Sequence, residues 1–215
     1  MRQILVYGDS LSWGIVPDTR ERLDHERRWP GVLERGLCAD GNAVRVLEDC
    51  LNGRRTVFDD PFKPGRNGME GLAQRIEMHS PLDLVILILG TNDFQSMHPH
   101  NAWHAAQGLA ALIGEIRAAP IEPGMPVPPI LVLAPPPIRE PKGNIAPKFL
   151  GGEEKCRGLA EAYRELARVH DCAFIDTGEI VETSEVDGVH LDAGAHRTLG
   201  EALVSPVAKI LASGT

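Results

Sequence analysis

The chain has 215 residues, a formal net charge of −8 and four cysteines. A chain of this length buries about 70% of the surface that its unfolded form exposes, so we expect one domain spanning residues 1–215. The negative charge repels phosphates and anionic lipids, which excludes nucleic acid and membrane surfaces as expected partners. The cysteines form no Cys-x-x-Cys pair, which predicts reduced thiols and disfavours a zinc site or a thioredoxin-type motif. No cofactor is expected.

The N-terminal sequence predicts a cytoplasmic location. The chain passes from Met1 directly into its first apolar run, without room for a secretory leader. The longest apolar run, residues 84–89, is far shorter than the roughly 20 residues that span a bilayer.

The first predicted strand comprises residues 1–7 and ends in a small, polar turn, Gly8-Asp9-Ser10-Leu11. This turn places the Ser10 hydroxyl at the carboxyl end of a strand, where ligands bind in open α/β sheets. Asp and Ser also commonly cap turns and helices. From these residues alone, both a capping role and a nucleophilic role stay open for Ser10.

Strand and helix patterns alternate along the rest of the chain. Four further apolar runs predict strands at residues 44–47, 83–89, 130–133 and 173–175. Amphipathic patterns predict helices at residues 29–37, 69–76, 101–118, 156–167 and 192–210. Trp103 falls on the apolar side of its helix, and Pro206 is predicted to kink or interrupt the last one. The alternation predicts an α/β fold whose parallel sheet is covered by helices on both faces, a three-layer α/β/α sandwich.

Polar loops that follow the predicted strands must open on the same edge of such a sheet. The loop after the last strand carries Asp187 three residues before His190. A serine hydroxyl attacks only when a base takes its proton, and a carboxylate must hold that base in the correct tautomer. Ser10, His190 and Asp187 supply these three roles.

Attack on an ester carbonyl also creates an oxyanion, which needs donors already directed at it. Three candidates follow neighbouring strands: the backbone N–H of Ser10, the backbone N–H of Gly53 and the side-chain amide of Asn92. Each is weak evidence alone, since Asn-Gly is also an ordinary turn.

The sequence resembles the GDSL or SGNH hydrolases. Its four matching blocks are Gly8-Asp9-Ser10-Leu11, Gly53, Gly90-Thr91-Asn92-Asp93 and Asp187-Gly188-Val189-His190. Further stretches resemble the bacterial arylesterase and acyltransferase subgroup: Trp13-Gly14, Arg28-Trp29, Asp59-Asp60-Pro61, Asn67-Gly68 and Pro135-Pro136-Pro137. The family resemblance implies a flavodoxin-like fold with a five-stranded parallel sheet of order 2-1-3-4-5. It also implies Ser10 as nucleophile, Asp187 and His190 as the rest of the triad, and Ser10, Gly53 and Asn92 as oxyanion donors.

The subgroup resemblance implies a substrate class. Its members hydrolyse short acyl esters, acetylated sugars among them, so we expect an esterase acting on acetyl esters of aryl alcohols or carbohydrates through an acyl-enzyme. Acyl transfer to an alcohol or peroxide and assembly into a homo-oligomer, up to an octamer, are also implied. Leu11, Trp13 and Phe94 are the predicted substrate-binding residues. Other apolar residues that could line the mouth are Ile15, Val16, Phe62, Ile138, Phe149 and Leu150.

Three other interpretations remain open at this point. Asp9 and Asp93 could bind magnesium for phosphate chemistry, whereas the family resemblance makes them structural. His98, His100 and His104 have metal-like spacing, but Pro99 and the start of a helix disfavour a shared tetrahedral geometry, and no metal is expected. A noncatalytic module that binds acylated sugars in the same crevice is the third interpretation.

Overall fold

A computed structural model describes residues 1–19, 21–39, 41 and 43–213. Five parallel strands form one sheet, in the order β2-β1-β3-β4-β5. They are β1 (Arg2–Gly8), β2 (Val44–Cys50), β3 (Leu84–Ile88), β4 (Ile130–Ala134) and β5 (Ala173–Asp176). The predicted strands and their order are thereby confirmed.

Helices cover both faces of this sheet. They are α1 (Ser10–Trp13), α2 (Trp29–Cys38), α3 (Leu72–His79), α4 (Ala102–Ala118), α5 (Ala146–Phe149), α6 (Gly152–Lys155), α7 (Leu159–Val169) and α8 (Ala193–Ser213). Short 3-10 turns lie at His25–Arg27, Thr91–Phe94, Gly143–Ile145 and Thr177–Glu179.

The alternation of side chains along each strand produces two hydrophobic cores. Leu5 and Tyr7 of β1 face one core, which contains the apolar sides of α3, α4 and α7. Ile4 and Val6 face the other, which contains the apolar sides of α2 and α8. Because both faces are covered, the central strands β3 and β4 are apolar and buried throughout, as expected for a parallel sheet.

The register of the strands aligns the loops that carry the predicted functional residues. Gly8 at the end of β1 pairs with Cys50 at the end of β2 and with Ile88 at the end of β3. The turns that follow these three positions therefore leave the sheet side by side. This alignment brings distant parts of the chain to one edge of the sheet.

The predicted place of Trp103 and a predicted interruption at Pro206 are both wrong, while a kink there stays a prediction. Trp103 lies in the first turn of α4 with 63% of its surface exposed, and its ring packs edge-on against His104. The last helix continues through Pro206 without interruption. The carbonyl that loses its partner there belongs to the exposed Ala202, so water can satisfy it, while Leu203 and Val207 anchor the helix in the core.

The four cysteines are free thiols, as their spacing predicts. In the described ranges, no helix has both the length and the apolar composition that a membrane crossing requires.

The packing of α8 on α2 leaves no room for a side chain at Gly200. A Cβ there would lie 2.6 Å from Cβ of Val32 and 2.8 Å from the carbonyl oxygen of Trp29. Gly114 lies on the exposed side of α4, and a Cβ there would have no neighbour within 4 Å.

We predict that Gly200→Ala lowers the free energy of unfolding by about 1–3 kcal/mol, because overpacking forces the two helices apart. Gly114→Ala is the matched control and should raise it by up to about 1 kcal/mol, because alanine loses less backbone entropy in a helix. Urea unfolding followed by circular dichroism measures both. Equal effects of the two variants would contradict the close packing of α2 and α8.

Candidate active site

The turn after β1 fixes the position of Ser10. Asp9 caps α1, and its Oδ1 accepts the backbone N–H of Leu11 at 2.9 Å. Ser12 in the same turn accepts the indole N–H of Trp29 at 3.2 Å, which ties the turn to α2. Ser10 is the first residue of α1 and is 7% exposed. Its hydroxyl is therefore held at the carboxyl edge of the sheet, close to the surface.

The structure brings Ser10, His190 and Asp187 into one hydrogen-bonded chain. Nε2 of His190 lies 3.2 Å from Oγ of Ser10, and Nδ1 of His190 lies 2.7 Å from Oδ2 of Asp187. An ionised carboxylate only accepts, so Nδ1 carries the hydrogen and Nε2 presents its lone pair to the serine. This arrangement can remove a proton from the Ser10 hydroxyl.

The loop that carries the acid and the base is held by its own backbone. Oδ1 of Asp187 accepts the N–H groups of Val189 and His190, each at 2.9 Å. Gly188, which lies between Asp187 and Val189, has a φ of 75°, and a Cβ there would lie 2.3 Å from the carbonyl oxygen of Glu140. Only glycine fits this position. Burial raises the pKa of Asp187, but the hydrogen bond and charge of His190 and the two N–H groups outweigh it and lower the pKa below its usual value.

The three predicted oxyanion donors differ in the hydrogen-bond acceptors that they have within the protein. Among the described residues, neither the N–H of Ser10 nor the N–H of Gly53 has a hydrogen-bond acceptor. Nδ2 of Asn92 donates to Oδ2 of Asp9 at 2.9 Å and to the carbonyl oxygen of Arg54 at 3.2 Å. A substrate oxygen would therefore have to share or replace the longer of these two bonds.

The profile of the GDSL-like lipase/acylhydrolase family matches residues 6–198. The chain belongs to this family. The resemblance in the sequence blocks is thereby confirmed.

Solved structures with the same fold include two kinds of esterase. The structure is similar to the inhibitor-bound aryl esterase of M. smegmatis, with a TM-score of 0.92 and 36% identity, covering 98% of this chain and 100% of that one. It is equally similar to a carbohydrate acetylesterase family member from Sinorhizobium meliloti, with a TM-score of 0.92 and 37% identity over 99% of this chain and 100% of that one. A curated arylesterase of Vibrio mimicus is 34% identical over 91 residues, which are 42% of this chain and only 38% of that protein. These relatives support the prediction that this GDSL-like chain is a serine esterase.

The two buried aspartates at this edge of the sheet have protein donors on all four oxygens. Asp9 accepts from Leu11 and Asn92, as described above, while Asp93 accepts the backbone N–H of Thr56 at 3.0 Å and its hydroxyl at 2.6 Å. Burial raises the pKa of Asp9 to about 6 and that of Asp93 to about 7. These contacts hold three turns together, which favours the structural role over a shared magnesium ion.

The histidines of metal-like spacing stack on one another instead of converging. The rings of His98 and His100 are 4.9 Å apart at 6°, and His100 stacks on Phe58 at 3.7 Å. The lone pairs of imidazole nitrogens lie in the ring plane, so two parallel, stacked rings cannot direct them at one ion.

Two of the three predicted substrate-binding residues lie in the hydrophobic cores. Leu11 is 1% exposed and packs against the α2 and α8 side, and Phe94 is 0% exposed and packs on the opposite face. The sequence places both beside reactive residues, but Leu11 lies in α1 and Phe94 in the 3-10 turn Thr91–Phe94, and their side chains face the cores from there. Trp13 is partly exposed, and the guanidinium of Arg22 lies 4.6 Å above its ring.

Of the other apolar residues proposed for the mouth, Ile138 and Phe149 also belong to the core, whereas Phe62 and Leu150 are 80% and 72% exposed.

Sequence reasoning missed the buried polar residues that support these turns. Arg54 donates to the carbonyl of Gly8 at 3.0 Å and to Oδ1 of Asp49 at 2.7 Å, and its guanidinium lies 3.9 Å above the ring of Tyr7. Arg55 and Gln95 are 0% exposed and hydrogen-bonded to each other. The available signal was that Arg55 and Gln95 lie two positions after Gly53 and Asp93.

We predict that Asp93→Asn removes a pH dependence from the stability of the fold. The ordinary pKa of this carboxyl is 3.8 and its pKa in the folded state is about 7, so between these values the folded state binds more protons than the unfolded state. The contribution of Asp93 to stability is therefore present at low pH and is lost as the pH rises through about 7.

Asparagine does not titrate, and it can still accept from and donate to Thr56. Urea unfolding of both proteins from pH 5 to 8 measures this difference. The free energy of unfolding of the variant should increase relative to that of the wild type by up to about 1.4 kcal/mol per pH unit. A difference independent of pH would contradict the buried, weakly acidic state of Asp93.

Proposed function

We propose that the protein hydrolyses short-chain esters, chiefly acetyl esters, through an acyl-enzyme on Ser10. The observation that carries this proposal is the hydrogen-bonded chain from Ser10 through His190 to Asp187, together with two backbone N–H groups that have no acceptor in the described part of the chain. A binding module would have no need to place a base beside a hydroxyl in this orientation.

In the first half of the reaction, Nε2 of His190 removes the proton of Ser10 as Oγ attacks the carbonyl carbon of the ester. The N–H groups of Ser10 and Gly53 receive the negative oxygen that forms, and Asn92 joins them by releasing its 3.2 Å bond to the carbonyl of Arg54. His190 then gives the proton to the leaving alcohol, and the acyl group stays on Ser10. Asp187 holds the imidazole in place and stabilises its charged form.

In the second half, water attacks the acyl-enzyme while His190 takes its proton, and the acid leaves when Oγ recovers that proton. An alcohol or a peroxide in place of this water would produce acyl transfer by the same steps. That activity, the cytoplasmic location and the homo-oligomer stay predictions from the sequence.

The substrate class rests on the relatives and on the apolar surface near Ser10. The similar structures are an aryl esterase and a carbohydrate acetylesterase family member, so we propose aryl alcohols or sugars as leaving groups. Trp13 follows Ser10 in α1 and is partly exposed, so it is the residue we propose as a wall of the substrate site.

Ser10→Ala should abolish covalent labelling by an organophosphonate and lower the hydrolysis of p-nitrophenyl acetate by at least about 10³-fold, because the nucleophile is lost. Mass spectrometry and absorbance measure the two effects. Ser12→Ala is the matched control two residues away. It leaves the indole N–H of Trp29 unpaired, which costs about 1–3 kcal/mol of stability, but it should keep labelling and most of the hydrolysis. Labelling and turnover that survive Ser10→Ala would rule out the proposal.

The ratio kcat/KM should not increase from p-nitrophenyl acetate to the octanoate ester. Each added CH₂ contributes about 0.8 kcal/mol only where apolar surface covers it, and Leu11 and Phe94 already pack in the cores. A series of p-nitrophenyl esters from C2 to C8 measures this preference. A rate that increases with chain length would contradict a short-acyl site.

A further inference from the structure

An asparagine side chain can occupy the same place in two amide orientations, which exchange its donor and its acceptor. In one orientation, Asn92 offers an N–H to the substrate oxygen proposed above. In the other, it offers a carbonyl oxygen, which would repel the negative charge of the reaction. The structure must therefore contain something that selects the first orientation.

A chain of buried hydrogen bonds leads away from the oxygen of this amide. Oδ1 of Asn92 accepts from Nε2 of Gln95 at 2.7 Å, and Oε1 of Gln95 accepts from Nη2 of Arg55 at 2.5 Å. The three residues are 0–2% exposed, so water does not compete for these bonds.

The chemistry of the arginine gives this chain a single direction. A guanidinium only donates, so the atom of Gln95 that faces Arg55 must be the oxygen. Gln95 then turns its NH₂ toward Asn92, which must present its oxygen in return. The NH₂ of Asn92 is left facing Oδ2 of Asp9 at 2.9 Å, and the carboxylate of Asp9 only accepts.

Burial of the Arg55 charge destabilises the fold, and an ion pair fixes the position of its side chain. Nη1 of Arg55 lies 2.9 Å from Oδ2 of Asp60, and these side chains are 0% and 4% exposed. Nε of Arg55 has no hydrogen-bond partner among the described residues. A buried charge with an unpaired N–H destabilises a fold, which is consistent with a role in specifying one arrangement of the polar groups around it.

We propose that Gln95, oriented by Arg55, is a positioning residue that keeps the N–H of Asn92 turned toward the reacting ester. The inference rests on the esterase function proposed above, and it adds two residues that do not touch the substrate. Asp9 and the carbonyl of Arg54 hold Nδ2 of Asn92, and Gln95 donates to Oδ1 at the other end of the amide, so a change of one atom in Gln95 removes the donor from that end.

The decisive variant is Gln95→Glu. The introduced carboxylate can still accept from Arg55, but it has no hydrogen for Oδ1 of Asn92 and it repels that oxygen. Because Asp9 and the carbonyl of Arg54 still accept from Nδ2, the amide of Asn92 should be pushed out of its place. We expect kcat/KM for p-nitrophenyl acetate to fall by about 10²-fold, close to the loss for Asn92→Ala. Gln107→Glu adds the same charge on the exposed side of α4 and should leave the activity unchanged.

A double-mutant cycle separates positioning from general damage to the fold. If Gln95 acts only through Asn92, then Gln95→Glu should change kcat/KM by less than about twofold when Asn92 is already alanine. Equal losses in both backgrounds, or a single variant as active as the wild type, would overturn the inference. Gln95→Met is the second variant in case the carboxylate prevents folding. It removes both hydrogen bonds without adding charge, and the same cycle applies to it.

One further measurement is independent of turnover. The side-chain amide protons of Asn92 should exchange with water at least about tenfold faster in Gln95→Met than in the wild type, as measured by NMR. Unchanged exchange would overturn the inference. A wild-type protein without esterase activity would instead count against the proposed function, so the two failures are distinguishable.

Discussion

The hydrogen bond from Asn92 to Asp9 joins the turn after β3 to the turn that carries Ser10, across 83 positions of sequence. The other oxygen of Asp9 caps α1, so one carboxylate sets both the direction of the Ser10 helix and the place of the Asn92 amide. The register of β1 with β2 and β3 makes this contact possible, because it ends the three strands at the same level. The candidate active site therefore depends on the common level at which the three strands end more than on any single loop.

Three carboxylates near this edge have different acidities because their surroundings differ. Asp187 receives hydrogen bonds from His190 and from two backbone N–H groups, which lower its pKa. Burial dominates at Asp9 and Asp93 and raises their pKa values to about 6 and about 7. The carboxylate that must stay charged beside the imidazole is thus the one with the most complete set of donors. The other two serve as buried acceptors that connect turns.

The sequence predicted the elements and the turns that carry Ser10, Asp187 and His190 because these depend on local patterns. Apolar runs marked the strands, and the Gly-rich and Asp-x-x-His blocks marked the turns that carry Ser10 and His190. The path of a side chain after a turn is not a local property, which is why Leu11 and Phe94 were expected in the substrate site and lie in the cores. The network of Arg55 and Gln95 joins two loops across 40 positions, and closeness to Gly53 and Asp93 does not by itself predict that the two side chains meet.

The central feature of the proposed mechanism is the place where the negative oxygen of the reaction is held. A crystal structure of the organophosphonate adduct tests this most directly. It should show phosphorus bonded to Oγ of Ser10, with the phosphonyl oxygen about 2.7–3.1 Å from the backbone nitrogens of Ser10 and Gly53 and from Nδ2 of Asn92. An adduct on another residue, or a phosphonyl oxygen directed away from these three nitrogens, would contradict it.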